Sequence, residues 1–211
     1  MTIRQACRRM VFRLVLLVPL GVPMGLAGAS AISSVSVTGP GLGMAVFTGS
    51  GTSLIYQMTF ESVAPIDAVV SLTGTGAATI QFSTFPIPAD TVFNQTGVDW
   101  TDYHFELGTG SGTSFVPSTS SDGLGFSGTP TSDVFKTLSQ LQDSLSWSGA
   151  VVPTGGPGVN FAFSVDMPDG LNQFTVRELP STAVPEAGTL LLVGSGLAGL
   201  AGRAWRRHRR K

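Results

Sequence analysis

Hydrophobic and polar side chains alternate along much of this chain. Over residues 53–61, Leu54, Tyr56, Met58 and Phe60 share one parity, and Gln57, Thr59 and Glu61 share the other. That period of two marks a strand with one face buried. Similar segments recur at 33–38, 45–48, 68–73, 78–85, 100–107, 144–152, 159–167 and 173–179. Between them lie Gly39-Pro40-Gly41, Gly49-Ser50-Gly51, Gly74-Thr75-Gly76, Gly155-Gly156-Pro157-Gly158 and Pro168-Asp169-Gly170, which supply the backbone angles that turns need. Many short strands with turn signals between them predict an all-β fold, an antiparallel β-sandwich spanning residues 32–180.

Two stretches depart from alternation. Residues 108–128 are rich in Gly, Ser and Thr and read as a long surface loop. In 132–143, Val134, Leu138 and Leu141 have helical spacing behind Ser132 or Asp133 as N-cap, so one short helix competes there with an irregular strand. Composition excludes more helix than that, because 27 Gly and 13 Pro in 211 residues break long helices.

Charge changes the picture from fold to address. Residues 1–30 hold Arg4, Arg8, Arg9 and Arg13 with no acid, a charge of +4. Residues 181–211 hold five Arg and Lys211 against Glu186, a charge of +5. Lys136 and Arg177 face twelve acids in residues 31–180, leaving −10 in the body. Basic ends around an acidic middle point to membrane topology with the body outside. A body so acidic gives nucleic acid no electrostatic footing.

The basic start leads into the apolar run at 14–20 and then into Ala27-Gly28-Ala29 and Ala29-Ser30-Ala31. Residues 1–31 therefore read as a secretory signal peptide, cut by signal peptidase after Ala29 or Ala31 and engaging the export machinery. Cys7 leaves with it, and the exported body has no thiol for disulfides, catalysis or metal ligation.

At the other end, an uncharged Leu/Gly/Ala-rich span predicts a short transmembrane helix over 188–204. The Arg203, Arg206, Arg207, Arg209, Arg210 and Lys211 cluster holds the 203–211 tail in the cytoplasm. The span follows Val184-Pro185-Glu186-Ala187-Gly188-Thr189. Motif, span and basic end together resemble the PEP-CTERM sorting signal of exported proteins in Gram-negative bacteria that make exopolysaccharide, here at 181–211. The usual Pro-Glu-Pro is Pro185-Glu186-Ala187. The resemblance implies that exosortase, a membrane-embedded cysteine transpeptidase, recognises Val184, Pro185, Glu186 and Ala187 after transient insertion in the inner membrane. It also implies delivery to the cell surface or matrix, in a biofilm context where exopolysaccharide is a partner. Residues 179–183, Leu-Pro-Ser-Thr-Ala, resemble the sortase signal of Gram-positive cell-wall proteins, a competing reading.

Catalytic motifs are missing from the body. His104 is its one histidine, and no Gly-x-Ser-x-Gly elbow, Walker loop or His-Glu-x-x-His occurs. The expectation is a non-enzymatic protein with no cofactor. Asp102, His104 and Glu106 share one strand face and are weak candidates for a cation, or the acids for paired carboxylates. The plainer reading is a wetted outer face, since same-face residues lie about 6.6 Å apart. Trp100, Tyr103 and Trp147 would make a sugar-stacking platform if exposed, as in a carbohydrate-binding module, but aromatics of this kind more often fill cores. The Asn94-Gln95-Thr96 sequon reads as accidental.

Overall fold

The structure, a computed structural model, describes residues 30–83 and 92–182. In chain order the strands are β1 (Ile32–Thr38), β2 (Leu42–Ser50), β3 (Ser53–Phe60), β4 (Ile66–Leu72), β5 (Ala78–Ser83), β6 (Val92–Asn94) and β7 (Asp102–Thr109). After a 3-10 turn at Gly112–Ser114 come β8 (Val116–Pro117), β9 (Gly125–Ser132), β10 (Thr137–Gln140), β11 (Ser144–Ser148), β12 (Phe161–Met167) and β13 (Gln173–Ser181). One sheet has the order β1-β4-β13-β7-β11-β10 with β8 beside β7, and the other has β2-β3-β5-β12-β9 with β6 beside β3.

The predicted sandwich is present, with one correction: its pairing is mixed. β3 meets both β5 and β6 in parallel. The intervening β4 belongs to the opposite sheet, so the chain crosses over and β5 re-enters beside β3 in the same direction. All other ladders are antiparallel.

Alternation explains the core. Tyr103, Phe105 and Leu107 of β7 are buried inward, as are Phe161, Phe163 and Val165 of β12 in the facing sheet. Rings interlock between the layers, with centroids 4.7 Å apart for Tyr103 and Phe161 and 4.8 Å for Phe105 and Phe163. Phe60 of β3 meets Trp100 edge-on at 5.4 Å. Tilted and edge contacts at these distances add to the burial of large rings, so the aromatic residues hold the two sheets together.

In the two irregular stretches, the strand alternative holds for 132–143, and the loop of 108–128 is tethered by short ladders. No helix forms in 132–143; Thr137–Gln140 is a strand, with Leu138 opposite Trp147. Ser132 does accept from the Val134 and Phe135 N–H groups, each at 3.3 Å. It caps a turn, and pairing with β11 then wins over the helical spacing. Residues 110–124 do run largely outside strands, at the surface, but they are tied down at points along the way. Val116 and Pro117 pair with the end of β7, and Gly125 begins β9 against β12.

Candidate functional site

On β7 the outward parity carries Asp102, His104 and Glu106, flanked by β11 and β13. His104 spends both ring nitrogens on neighbouring serines, Nδ1 with Ser146 Oγ at 3.1 Å and Nε2 with Ser181 Oγ at 3.3 Å. Asp102 accepts from the Thr101 hydroxyl at 2.7 Å, and Glu106 is exposed. The three side chains are not brought together on one ion. Among the described residues no group of three or more His, Cys, Asp or Glu is placed to hold a metal. Asp102 and Glu106, four strand residues apart, are separated by roughly 13 Å, beyond the about 5–9.5 Å of paired glycosidase carboxyls.

The sugar platform is also absent from the surface. Trp100, Tyr103 and Trp147 are 0%, 0% and 4% exposed, and all three are core residues. A shallow depression of ≈ 220 Å³ does open on the outer face of β5, β9 and β12, lined by Gln81, Ser83, Ser127, Thr129, Ala162 and Ser164. It presents hydroxyl and amide groups but no exposed ring for stacking. Asn94 has a structural use. Its amide nitrogen donates to the Val98 and Val152 carbonyls at 2.9 Å each, and its oxygen accepts from Thr96 N–H and Oγ1. A buried amide so engaged is closed to glycosylation.

Two polar clusters went unread in the sequence. Asp67, 2% exposed on β4, binds Arg177 through Nε at 2.7 Å and Nη2 at 3.0 Å, and accepts from Gly112 N–H at 2.6 Å. Arg177 donates onward to the Gly112 carbonyl at 3.0 Å and lies 3.8 Å above the Phe115 ring. The Asp67 hydrogen bond raises the arginine further above its usual value. The Gly108–Gly112 run, which resembles a phosphate loop only in its glycines, thus wraps the protein's own carboxylate. Gly110, at φ +76, sits so near the Ser114 carbonyl that any Cβ would collide with it, and its own carbonyl accepts from Thr175.

The second cluster lies between the sheets. Glu178, 2% exposed, accepts from the Tyr103 hydroxyl at 2.5 Å. Burial pushes its carboxyl up to about 8, against the opposing effect of that hydrogen bond. Burial and the Glu178 charge in turn raise Tyr103 and Tyr56 well above the ordinary phenol value. Tyr56 Oη is buried without a hydrogen-bond partner. Glu178 and Tyr103 are both buried, and they form a polar pair within the core.

Ala29, the 188–204 span, the Val184–Ala187 motif and the basic cluster from Arg203 to Lys211 lie outside the described residues. Among the described residues no helix is long and apolar enough to cross a membrane. What the structure does give is the ground on either side of those segments. Ser30 is fully buried and donates through Oγ to the Gly76 carbonyl at 2.6 Å. The Ala31 carbonyl accepts from Thr73 N–H at 2.8 Å. At the far end, Leu179, Pro180 and Ser181 are paired with His104, Tyr103 and Asp102 in β13, a strand flanked on both sides.

Residues 183–207 match the family model described as the PEP-CTERM protein-sorting motif. Comparison with curated proteins and with solved structures finds no match. The chain therefore carries a PEP-CTERM sorting motif starting two residues beyond its last strand, and such a motif implies an exported protein directed to exosortase and the cell surface.

Proposed function

We propose that this is a non-enzymatic structural or adhesive protein, inserted transiently in the inner membrane and then displayed at the cell surface or in an exopolysaccharide matrix. The observation that carries the reading is the join between fold and signal. The last strand ends at Ser181 and the sorting motif begins at residue 183. A cut near Val184–Ala187 releases the whole sandwich and leaves the basic end in the membrane. The sortase reading is disfavoured because Leu179–Ser181 is held in a ladder, whereas a protease or transpeptidase groove takes an extended segment free of other pairing.

Mass spectrometry of the protein from the surface fraction is expected to give a C-terminus within 184–187. Replacing Pro185 and Glu186 together with alanine is expected to leave uncut chain in the membrane fraction. A C-terminus at Thr182 joined to peptidoglycan, or intact chain in the cytoplasm, would sink the proposal.

At the N-terminus the fold favours a cut after Ala29. Cutting after Ala31 would discard the buried Ser30 and the Ala31 carbonyl that receives Thr73 N–H. It would also place a new ammonium on Ile32, whose side chain is buried and whose N–H donates to the Gly51 carbonyl. N-terminal sequencing of the exported form is expected to begin Ser30-Ala31-Ile32, and a start at Ile32 would refute this.

A further inference from the structure

The sandwich has four edges, and they are not equally protected. β9 carries Pro130, a left-handed Gly128 at φ +71, and a break in register against β12. β10 is four residues long. β1 is seven residues long and exposes no large hydrophobic side chain. These features discourage another strand from adding.

β2 has little such protection. It is nine residues long and pairs with β3 on one side, and among the described residues no ladder covers its other side. Its only irregularity falls between Leu42 and Met44, which leaves Met44–Ser50 in regular register. It contains no proline and no charge, and no charged residue occurs anywhere in 30–60. Ala45 packs against the core and Phe47 is buried within it, while Met44 and Val46 on the opposite parity are 50% and 44% exposed. A long, uncharged, apolar edge of this kind templates strand addition.

We propose that β2 is the interface by which two copies of this chain pair, edge to edge and antiparallel, across a two-fold axis. The occupant follows from charge. The body from 31 to 180 carries −10, so two copies repel over most of their surfaces. The first acid in the described chain is Glu61, past the end of β3, so two copies meeting at β2 bring no like charges of this strand or its neighbour β3 together. A strand paired with itself also satisfies the isologous geometry that closed dimers need. Full overlap of residues 42–50 places Val46 opposite Val46 of the second copy, with each Met44 facing a Thr48, and joins the two β2-containing sheets into one.

The test uses protein purified from the cells that make it, so that its outcome does not depend on where the chain is sorted. Sedimentation equilibrium at about 10 µM is expected to give the mass of two copies. Val46→Lys sets two ammonium groups against each other on the axis and is expected to weaken pairing by on the order of 100-fold. Ser139→Lys on the β10 edge is expected to leave the dimer intact. Val46→Cys is expected to give an intermolecular disulfide under mild oxidation, a readout that survives if the lysine variant misfolds; the wild type, whose one cysteine is Cys7, serves as control. A monomeric wild type, a dimer indifferent to Val46→Lys in a folded variant, or pairing only with a different protein would overturn the proposal.

Discussion

Glu178→Gln is expected to abolish a loss of stability that the wild-type protein suffers as pH rises from 4.5 to about 8. The folded carboxyl stays protonated until about 8, whereas the unfolded one releases its proton from 4.5 upward. Between those values the folded state holds more protons, so stability falls with pH by about 1.4 kcal/mol per unit. Below the window Glu178 is neutral in both states and costs nothing in ionisation. Above it the penalty is complete, on the order of 5 kcal/mol, a large fraction of what holds a domain together. Glutamine keeps an oxygen for the Tyr103 hydroxyl and cannot ionise. The variant should therefore be the more stable protein at pH 9, by several kcal/mol, and close to wild type near pH 5.

The tyrosine and Asp122 shifts fall outside this window. Tyr56 and Tyr103 are raised beyond the window. For Asp122, desolvation acts upward, but hydrogen bonds from Thr119, Ser118 and Leu124 hold the pKa below its ordinary 3.8. Its contribution is present above 3.8 and is lost only as pH falls further. Urea unfolding midpoints from pH 4.5 to 9 would check the prediction, and parallel pH slopes for wild type and variant would defeat it.

Arg177→Ala is expected to cost about 3–5 kcal/mol, because it strands a buried carboxylate. Asp67 is 2% exposed, and the Gly112 N–H is left to hold it. The same change removes the bond to the Gly112 carbonyl and the stacking on Phe115, so residues 110–115 lose their attachment to β13. Limited proteolysis should then cut in that segment. Arg177→Lys keeps the charge but loses the fork and the planar stack, and it should fall between alanine and wild type. The double variant Asp67→Asn with Arg177→Met should recover much of the loss, since no uncompensated charge remains. If the double variant's destabilisation equalled the sum of the two single losses, the pair would not be coupled as described.

How much of this could be read beforehand depended on how local each signal was. The alternation of Leu54, Tyr56, Met58 and Phe60 needed nothing outside β3. β9 was hidden because Gly128 and Pro130 read as breakers; at an edge with irregular register both are tolerated. Val134, Leu138 and Leu141 mimicked a helix because three apolar positions are too few to define a period. Glu178 was available from parity alone, lying in phase with the buried Phe174 and Val176 of β13. Asp67 was not. It sits on the outward parity of β4 and is buried only because residues 110–115 and Arg177, 110 positions away, close over it. The sorting motif was legible because a processing enzyme reads it as a short linear pattern, whereas Trp100 and Tyr103 needed the fold to reveal which way they face.

The position of β13 also has a mechanical meaning. Any pull transmitted through the tail enters the domain at Ser181, on a strand hydrogen-bonded to β4 on one side and β7 on the other. A tug along that strand loads both ladders in shear, so many bonds must give together. The same force applied along β1 or β2 would load a single ladder. Force applied at the Ser181 end is therefore shared by two ladders before the sheet can open.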